Sequence, residues 1–254
     1  MPFTFSHPAI ILPLNCLPKK WFSLTGLIIG SLLPDFEYFI RMKIESIYSH
    51  TFWGIFYFNL PLGIALAFIF HNFVKTELFK NIPTALNQRF KKCEKLNWNK
   101  YFAENWIAVI SSVIIGTISH IFWDSFTHES GYFAQNIKEL TETTELFGRE
   151  IRNLKILQHT STFVGGLIIA YSIYKLPKTE NIENKINLKY WLSVIIIMLV
   201  IITLRIEIGE NTKQIGNIIV SLITAGMLGI ITTPIILKNI NGSYQWFGAS
   251  GVLG

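Results

Sequence analysis

The sequence contains little cysteine and little charge. Cys16 and Cys93 are the two cysteines among 254 residues, and neither has a neighbour at the spacing of a CxxC zinc motif or of a disulfide framework. Charged residues make up 15% of the chain, whereas soluble domains carry about 25%. Half of the residues are hydrophobic and the mean hydropathy is positive. These proportions exclude an ordinary water-soluble domain and indicate an integral membrane protein.

Several other features are absent. The start of the chain has no basic region ahead of its first apolar run, so we expect no cleaved signal peptide. The net charge of +6 comes from basic residues in loops rather than along one face, so we expect no binding of nucleic acid. There is no internal repeat, low-complexity tract or linker. We therefore expect one membrane domain over residues 1–254, with motif-bearing helices in 1–176 and two plain spans in 190–237.

Long apolar segments dominate what is present. A run in 8–18 is interrupted by prolines and too short to cross a bilayer of about 30 Å, so we expect it to be interfacial or re-entrant. Longer apolar segments follow at 21–40, 52–74, 106–123, 163–176, 191–206 and 215–237. The sequence therefore predicts an all-α polytopic membrane protein with about five or six membrane segments and a polar cluster at one membrane face.

Three potential metal ligands end the third long apolar segment. His120, Asp124 and His128 recur every four residues, which places them on one face of a helix with about 3.6 residues per turn. Ionisable groups at the edge of a hydrocarbon layer are costly, so they need a partner or a function. Histidine and carboxylate together are typical ligands of zinc and similar divalent metals. This face therefore predicts a metal site.

Other polar residues lie at the ends of apolar segments. The carboxylates Asp35 and Glu37 follow Pro34, and we assign both as candidate catalytic residues, with Asp35 bridging metals or acting as a general base. Asp35 could instead pair with Arg41, and Glu37 could be solvated. His71 lies inside an apolar run and is predicted to be structural. The full candidate ligand set is His7, Asp35, His50, His120, Asp124, His128 and His159.

The distribution of basic residues predicts the topology. Residues 75–100 contain seven lysines and arginines and two acidic residues. Basic loops favour the cytoplasmic side of the membrane. His50, His159 and the His120 face then lie at the outer end of their segments. His7 joins them only if the N-terminal segment is re-entrant, since residues 8–18 would otherwise lead it to the other face.

Three motifs resemble an uncharacterised bacterial membrane-protein family, a domain of unknown function. They are the opening PFTFSHPA, the stretch GSLLPDFEY at 30–38, and SH with DxxTH at 119–128. The resemblance covers about residues 1–240 and implies a location in the bacterial cytoplasmic membrane.

The order of these motifs is more remotely similar to inner-membrane metal-dependent hydrolases and to the zinc-dependent phospholipase C and nuclease group. That resemblance implies a phosphoester hydrolase with zinc ligands at the matching positions. The chain departs from the group at position 163, where Phe163 replaces a carboxylate, and in showing no processing site at its N-terminus. One or two metals are therefore expected rather than three.

Two functions remain open from the sequence. The first is a metal-dependent hydrolase that uses zinc, or manganese, to activate water against a small or lipid-linked phosphoester, with membrane lipids as further partners. The second is a non-enzymatic scaffold or partner protein in which the His/Asp cluster is a structural metal or hydrogen-bond staple. A transporter is less favoured, because the ionisable residues cluster at segment ends. The sequence does not predict an oligomeric state.

Overall fold

A computed structural model describes residues 3–16, 18, 21–146, 148–179, 186–208 and 214–240. The regular structure within these residues is helical apart from one β-hairpin. The elements are α1 (Pro8–Ile11), α2 (Leu24–Gly30), α3 (Leu33–Arg41), α4 (Leu60–Ile69), α5 (Lys75–Asn81), α6 (Thr84–Glu94), α7 (Trp98–Thr127), α8 (Tyr132–Asn136), α9 (Lys138–Thr141), β1 (Thr143–Leu146), β2 (Arg149–Arg152), α10 (Asn153–Lys175), α11 (Leu188–Ile208) and α12 (Ile215–Ile240). Short 3₁₀-helices cover Thr4–Ser6 and Leu12–Cys16, and π-helical turns at Ile55–Asn59 and Phe70–Val74 flank α4.

In the part of the chain that the structure describes, five helical segments are long and apolar enough to cross a membrane. They are Ile55–Asn81, Trp98–Asn136, Asn153–Lys175, Leu188–Ile208 and Ile215–Lys238. Many of their large apolar side chains stay exposed in the folded chain, which fits a hydrocarbon environment better than water. The predicted all-α polytopic membrane architecture is confirmed.

The segment 21–40, expected as one span, is two short helices. The hydroxyl of Ser23 begins α2 by accepting a hydrogen bond from the Gly26 N–H, as N-caps do. The helix ends at Gly30, and α3 starts at Leu33 with Pro34 in its first turn. Proline has no N–H and would clash with the preceding turn of a continuous helix, but the first turn of a new helix tolerates it. The break places Asp35 at the start of α3.

Small residues bring α2 and α7 into close contact. A Cβ atom added to Gly26 would lie 2.9 Å from the Cβ of Ser112, and one added to Gly116 would lie 2.7 Å from the Ser31 nitrogen. The Ser112 hydroxyl accepts a hydrogen bond from the Ser23 N–H at 2.8 Å. Small residues at such spacing let membrane helices approach closely. This contact sets the position of Ser31 against the second half of α7.

The two C-terminal helices make hydrogen bonds to the end of α3. They were expected to be plain spans, but they carry polar side chains that make these contacts. Met42 ends α3 in a left-handed conformation with φ of 50°. Its carbonyl accepts hydrogen bonds from Arg205 on α11 and Ser221 on α12, both at 3.3 Å. Thr224 on α12 donates to the Phe39 carbonyl at 2.8 Å. The two helices therefore fix the turn that follows α3.

The stretches between the long helices also contain regular structure. The basic stretch 75–100 includes α5, which ends the span Ile55–Asn81, and α6. The next helix, α7, starts at Trp98. The mixed-charge stretch 129–158 holds two short helices, the antiparallel hairpin of β1 and β2, and the first turns of α10. The prediction of a single domain over residues 1–254 stays a prediction.

The close contact of α2 and α7 generates a stability prediction. Gly116→Ala places a methyl group against the backbone of α2, so we expect it to destabilise the protein by about 1–3 kcal/mol through overpacking. The matched control is Gly166→Ala on α10, where nothing lies within 4 Å of the added Cβ. We expect the control to be neutral or stabilising, because alanine favours helix over glycine. Melting of purified protein in detergent measures both; equal melting temperatures for the two variants would contradict the packing.

Candidate metal centre

Four side chains converge on one point at one end of the helices. Asp35, His50, His120 and Asp124 each offer a ligand atom, and these atoms all lie within 4.8 Å of one another. Asp35 and His120 are fully buried, Asp124 is 5% exposed, and His50 is partly buried. They come from α3, the 42–54 turn and α7, so residues far apart in the sequence meet at this point. The group could hold a metal ion.

The ring of His120 is oriented by the backbone of α2. Its Nδ1 lies 2.7 Å from the Ser31 carbonyl oxygen, and a carbonyl accepts hydrogen bonds only, so Nδ1 carries a proton. In the neutral ring, Nε2 then presents its lone pair toward Asp124 Oδ2 at 3.2 Å and Asp35 Oδ1 at 3.5 Å. Metal-binding histidines commonly have their second nitrogen held in this way.

His50 is oriented by two serines in the turn after α3. Its Nδ1 lies 2.8 Å from Ser46 Oγ and 3.1 Å from Ser49 Oγ. Its Nε2 faces Asp124 Oδ2 at 3.5 Å and Asp35 Oδ1 at 3.9 Å. His50 and His120 therefore direct the same nitrogen, Nε2, at the same pair of carboxylates.

Glu37 folds the turn that carries His50. Its carboxylate accepts hydrogen bonds from the backbone N–H groups of residues 47, 48 and 49 at 2.8–3.0 Å, and it pairs with Arg41 at 2.9 Å. Burial alone would raise the pKa of Glu37, but these donors outweigh it and lower the pKa to about 2. The side chain is thus an anion buried beneath the turn.

The N-terminal segment inserts His7 into the cluster. Its anchor is α10, where the Thr162 hydroxyl accepts from the Phe3 N–H at 2.9 Å and the Thr162 carbonyl accepts from the Ser6 hydroxyl at 3.0 Å. The His7 ring stacks on His120 with centroids 3.7 Å apart, and its Nε2 lies 3.6 Å from Asp124 Oδ1. Burial and the neighbouring His120 lower the pKa of His7 to about 3, so its ring is neutral at neutral pH.

Eight buried polar atoms of the cluster have no hydrogen-bond partner among the described residues. They are His7 Nδ1 and Nε2, Asp35 Oδ1, His50 Nε2, His120 Nε2, Asp124 Oδ1 and Oδ2, and His128 Nε2. Each such atom costs about 1–3 kcal/mol if it stays unsatisfied. The nitrogen-to-oxygen distances of 3.2–3.9 Å within the cluster are close to the separation of roughly 3.3–3.6 Å between atoms that share a tetrahedral zinc ion. The donor set therefore fits a divalent metal.

The cluster is open on one side. The side chains of His50 and His128 are 24% and 26% exposed, while Asp35, His120 and His7 are closed off. Exposed aromatic residues follow His50 directly, with Phe52 68% and Trp53 70% exposed. Aromatic side chains are typical of the boundary between lipid and water. The cluster is thus reached from its His50 and His128 side.

Six of the seven predicted ligands lie together. His128 joins the four convergent residues through Asp124, whose Oδ1 lies 3.5 Å from His128 Nδ1, and His7 joins them as described above. The seventh, His159, is exposed on α10 and lies outside the four-residue group. The contacts of Glu37 support a positioning role rather than the predicted catalytic one. The roles of the seven candidates as metal ligands, and of Asp35 and Glu37 as catalytic residues, stay predictions. His71 bonds Thr25 and stacks on Trp98, away from the cluster.

Sequence reasoning missed the residues that support the cluster. Thr4 donates to Asp35 Oδ2 at 2.5 Å, and the Asn59 side chain donates to the Ser49 carbonyl at 2.6 Å from within a π-helical turn. Asn217 accepts from the Ile44 N–H at 2.9 Å. One signal was present: Asn217, Ser221 and Thr224 are polar residues spaced by four and three, so they share one face of an apolar helix.

Comparisons with known proteins give the family. Residues 1–235 match the family model described as "Domain of unknown function (DUF4184)". A search of curated proteins and a search of solved structures found no significant match. The predicted resemblance to an uncharacterised domain family is confirmed, and the remote resemblance to metal-dependent hydrolases and phospholipases stays a prediction.

Burial of the Glu37 anion predicts a pH-dependent stability. Glu37→Gln removes charge-assisted hydrogen bonds to the 47–49 turn, so we expect it to lower stability near pH 7 by about 2 kcal/mol. Because the pKa is depressed in the folded state, this contribution is complete above the unfolded pKa of about 4.3. It is lost as the pH falls from there through about 2.

Thermal melting of wild type and Glu37→Gln in detergent from pH 7 down to pH 3 measures the effect. The difference between the two proteins should shrink toward pH 3. The matched control is Glu45→Gln, because Glu45 is a solvent-exposed partner of Lys43 in the same turn. A Glu37→Gln difference as small as that of the control at pH 7 would rule out the positioning role.

Proposed function

The chain belongs to the DUF4184 family, and we propose that it is a membrane-bound metal-dependent hydrolase. The observation that carries the proposal is the convergence of unpaired ligand atoms on a partly open point. His50, His120 and Asp124 would hold the metal, which leaves one position open for water beside Asp35. Zinc is the metal that this mixture of imidazole and carboxylate favours, with manganese second.

The chemistry follows from the positions of the residues. A divalent metal held there would lower the pKa of a coordinated water toward about 7 and would polarise a phosphoryl oxygen. Asp35 Oδ1 faces the same point without a hydrogen bond, while Thr4 occupies Oδ2. This places a buried carboxylate oxygen to accept a proton from water, as a general base does. His120 and His50 are oriented by hydrogen bonds at Nδ1, which keeps their Nε2 atoms directed toward the same point as Asp35 Oδ1.

The substrate is proposed to be a phosphoester, small or lipid-linked. A lipid-linked substrate could reach the cluster because the cluster opens beside exposed aromatic residues at the end of apolar helices. The basic residues of 75–100 lie at the other end of α7 from His120 and Asp124, and basic segments favour the cytoplasm. We therefore propose the bacterial cytoplasmic membrane, with the cluster toward its outer face. Membrane lipids are the surrounding partners.

A structural staple is the second candidate. It is favoured by one observation: the cluster joins the N-terminal segment, α3, the His50 turn and α7, so a metal there would hold four parts of the chain together. Structural zinc sites are closed by four protein ligands, whereas catalytic sites keep a position open. The partial exposure of His50 and His128 favours the hydrolase.

The metal and the hydrolysis should be lost together. His120→Ala removes a fully buried ligand, so we expect metal content to fall below one tenth of wild type and hydrolysis of bis(4-nitrophenyl) phosphate to fall at least 100-fold. His159→Ala is the matched control, because His159 is exposed outside the group, and it should keep both. Elemental analysis after purification without chelators and absorbance of released nitrophenol provide the measurements.

Two outcomes would contradict the proposal. If purified wild-type protein contains no metal, the proposed metal site is wrong. Protein that holds metal and melts lower after chelation, yet neither hydrolyses the diester nor binds inorganic phosphate in a metal-dependent manner, would identify a staple.

A further inference from the structure

The two oxygens of Asp124 face different histidines. Oδ2 lies 3.2 Å from His120 Nε2 and 3.5 Å from His50 Nε2. Oδ1 lies 3.6 Å from His7 Nε2 and 3.5 Å from His128 Nδ1. One carboxylate therefore separates two pairs of imidazoles.

The four-residue metal site leaves His7 unexplained. Its side chain is fully enclosed, and neither ring nitrogen has a hydrogen-bond partner. A buried imidazole in an apolar surrounding is costly without a partner. The N-terminal segment is nevertheless anchored on α10 so that this ring enters the cluster, and a Cβ added to Gly165 would lie 2.8 Å from the Ser6 carbonyl oxygen. Such close docking positions His7 rather than leaving it mobile.

The arrangement of the two pairs fits a carboxylate that bridges two metal ions. The rings of His7 and His120 are nearly parallel, with centroids 3.7 Å apart and planes inclined by 16°. Metal ions in two-metal sites lie about 3.5–4 Å apart and often share a bridging carboxylate. The distance of 3.6 Å from Oδ1 to His7 Nε2 is too long for a hydrogen bond of about 2.7–3.2 Å, but two atoms that share a metal ion lie at about such a distance.

We propose that a second divalent cation binds on the Oδ1 side of Asp124, held by His7 Nε2, Asp124 Oδ1 and the ring of His128, with Asp124 bridging it to the first metal. This rests on the first metal position of the proposed function, and it does not depend on hydrolysis. His128 Nε2 is also buried without a hydrogen-bond partner. Its Nδ1 lies 3.2 Å from the Asp124 carbonyl oxygen and donates a hydrogen bond to it, so Nε2 is the nitrogen that His128 offers to the cation.

Reconstitution with manganese tests the second cation without using activity. Wild-type protein is stripped with chelator, loaded with Mn²⁺, and examined by elemental analysis and electron paramagnetic resonance. We expect two manganese ions per chain with the spectrum of a coupled pair. His7→Ala should hold one ion with the spectrum of an isolated Mn²⁺. The matched control is Ser6→Ala, which removes the hydrogen bond to Thr162 but keeps the imidazole, and it should retain the coupled pair.

The outcomes separate the two claims. One isolated ion in wild type overturns the second site and keeps the first, whereas no bound ion overturns the metal centre itself. A coupled pair that persists in His7→Ala, or loss of both ions in a His7→Ala protein that melts like Ser6→Ala, overturns the assignment of His7. His128→Ala provides an independent reading, because it leaves the N-terminal segment intact and should also reduce the ions from two to one.

Discussion

The burial of unpaired carboxylate and imidazole groups at the end of a helical bundle is the constraint on which the other features depend. Asp35 and Asp124 lie against His7, His50, His120 and His128 with eight polar atoms left without hydrogen bonds. Removing such groups from water is costly, and two carboxylates at one point also repel each other. A divalent cation satisfies both requirements at once, because it supplies positive charge and takes up the free lone pairs.

The elements around the cluster are arranged for positioning. Close packing of α2 against α7 brings the Ser31 carbonyl to His120. The Glu37 anion gathers the backbone of the turn that carries His50. The polar face of α12 fixes the start of the same turn through Met42 and Ile44. His120 and His50 are therefore each held by neighbours outside the cluster, an arrangement that is also typical of metal sites with supporting hydrogen bonds.

The sequence was informative where a pattern is local. The spacing of His120, Asp124 and His128 predicted one helix face, and long apolar runs predicted the spans, because helix geometry and bilayer thickness act over short stretches. It was less informative where tertiary contacts decide. Nothing local shows that Glu37 faces a backbone turn while Asp35, two residues earlier, faces the cluster. The break of 21–40 into two helices was also missed, although Gly30 and Pro34 were visible signals of it.

The positions of the His7 and His159 side chains could not be predicted from the sequence. The charge distribution predicted the end of the helix at which His159 lies, but it could not show which way the side chain points, and His159 is exposed. The position of His7 was ambiguous because it depends on the docking of a short segment on α10, which involves residues about 160 positions away. Contacts at that separation leave no periodic signal in the chain.

X-ray absorption at the zinc edge of purified, chelator-free protein tests the central claim most directly. We predict a shell of nitrogen and oxygen ligands at about 2.0–2.2 Å with imidazole scattering and no sulfur. A sulfur shell near 2.3 Å would assign the metal to cysteine instead, and a shell of water oxygens without imidazole would show that the His/Asp cluster does not bind it. Either result would contradict the account.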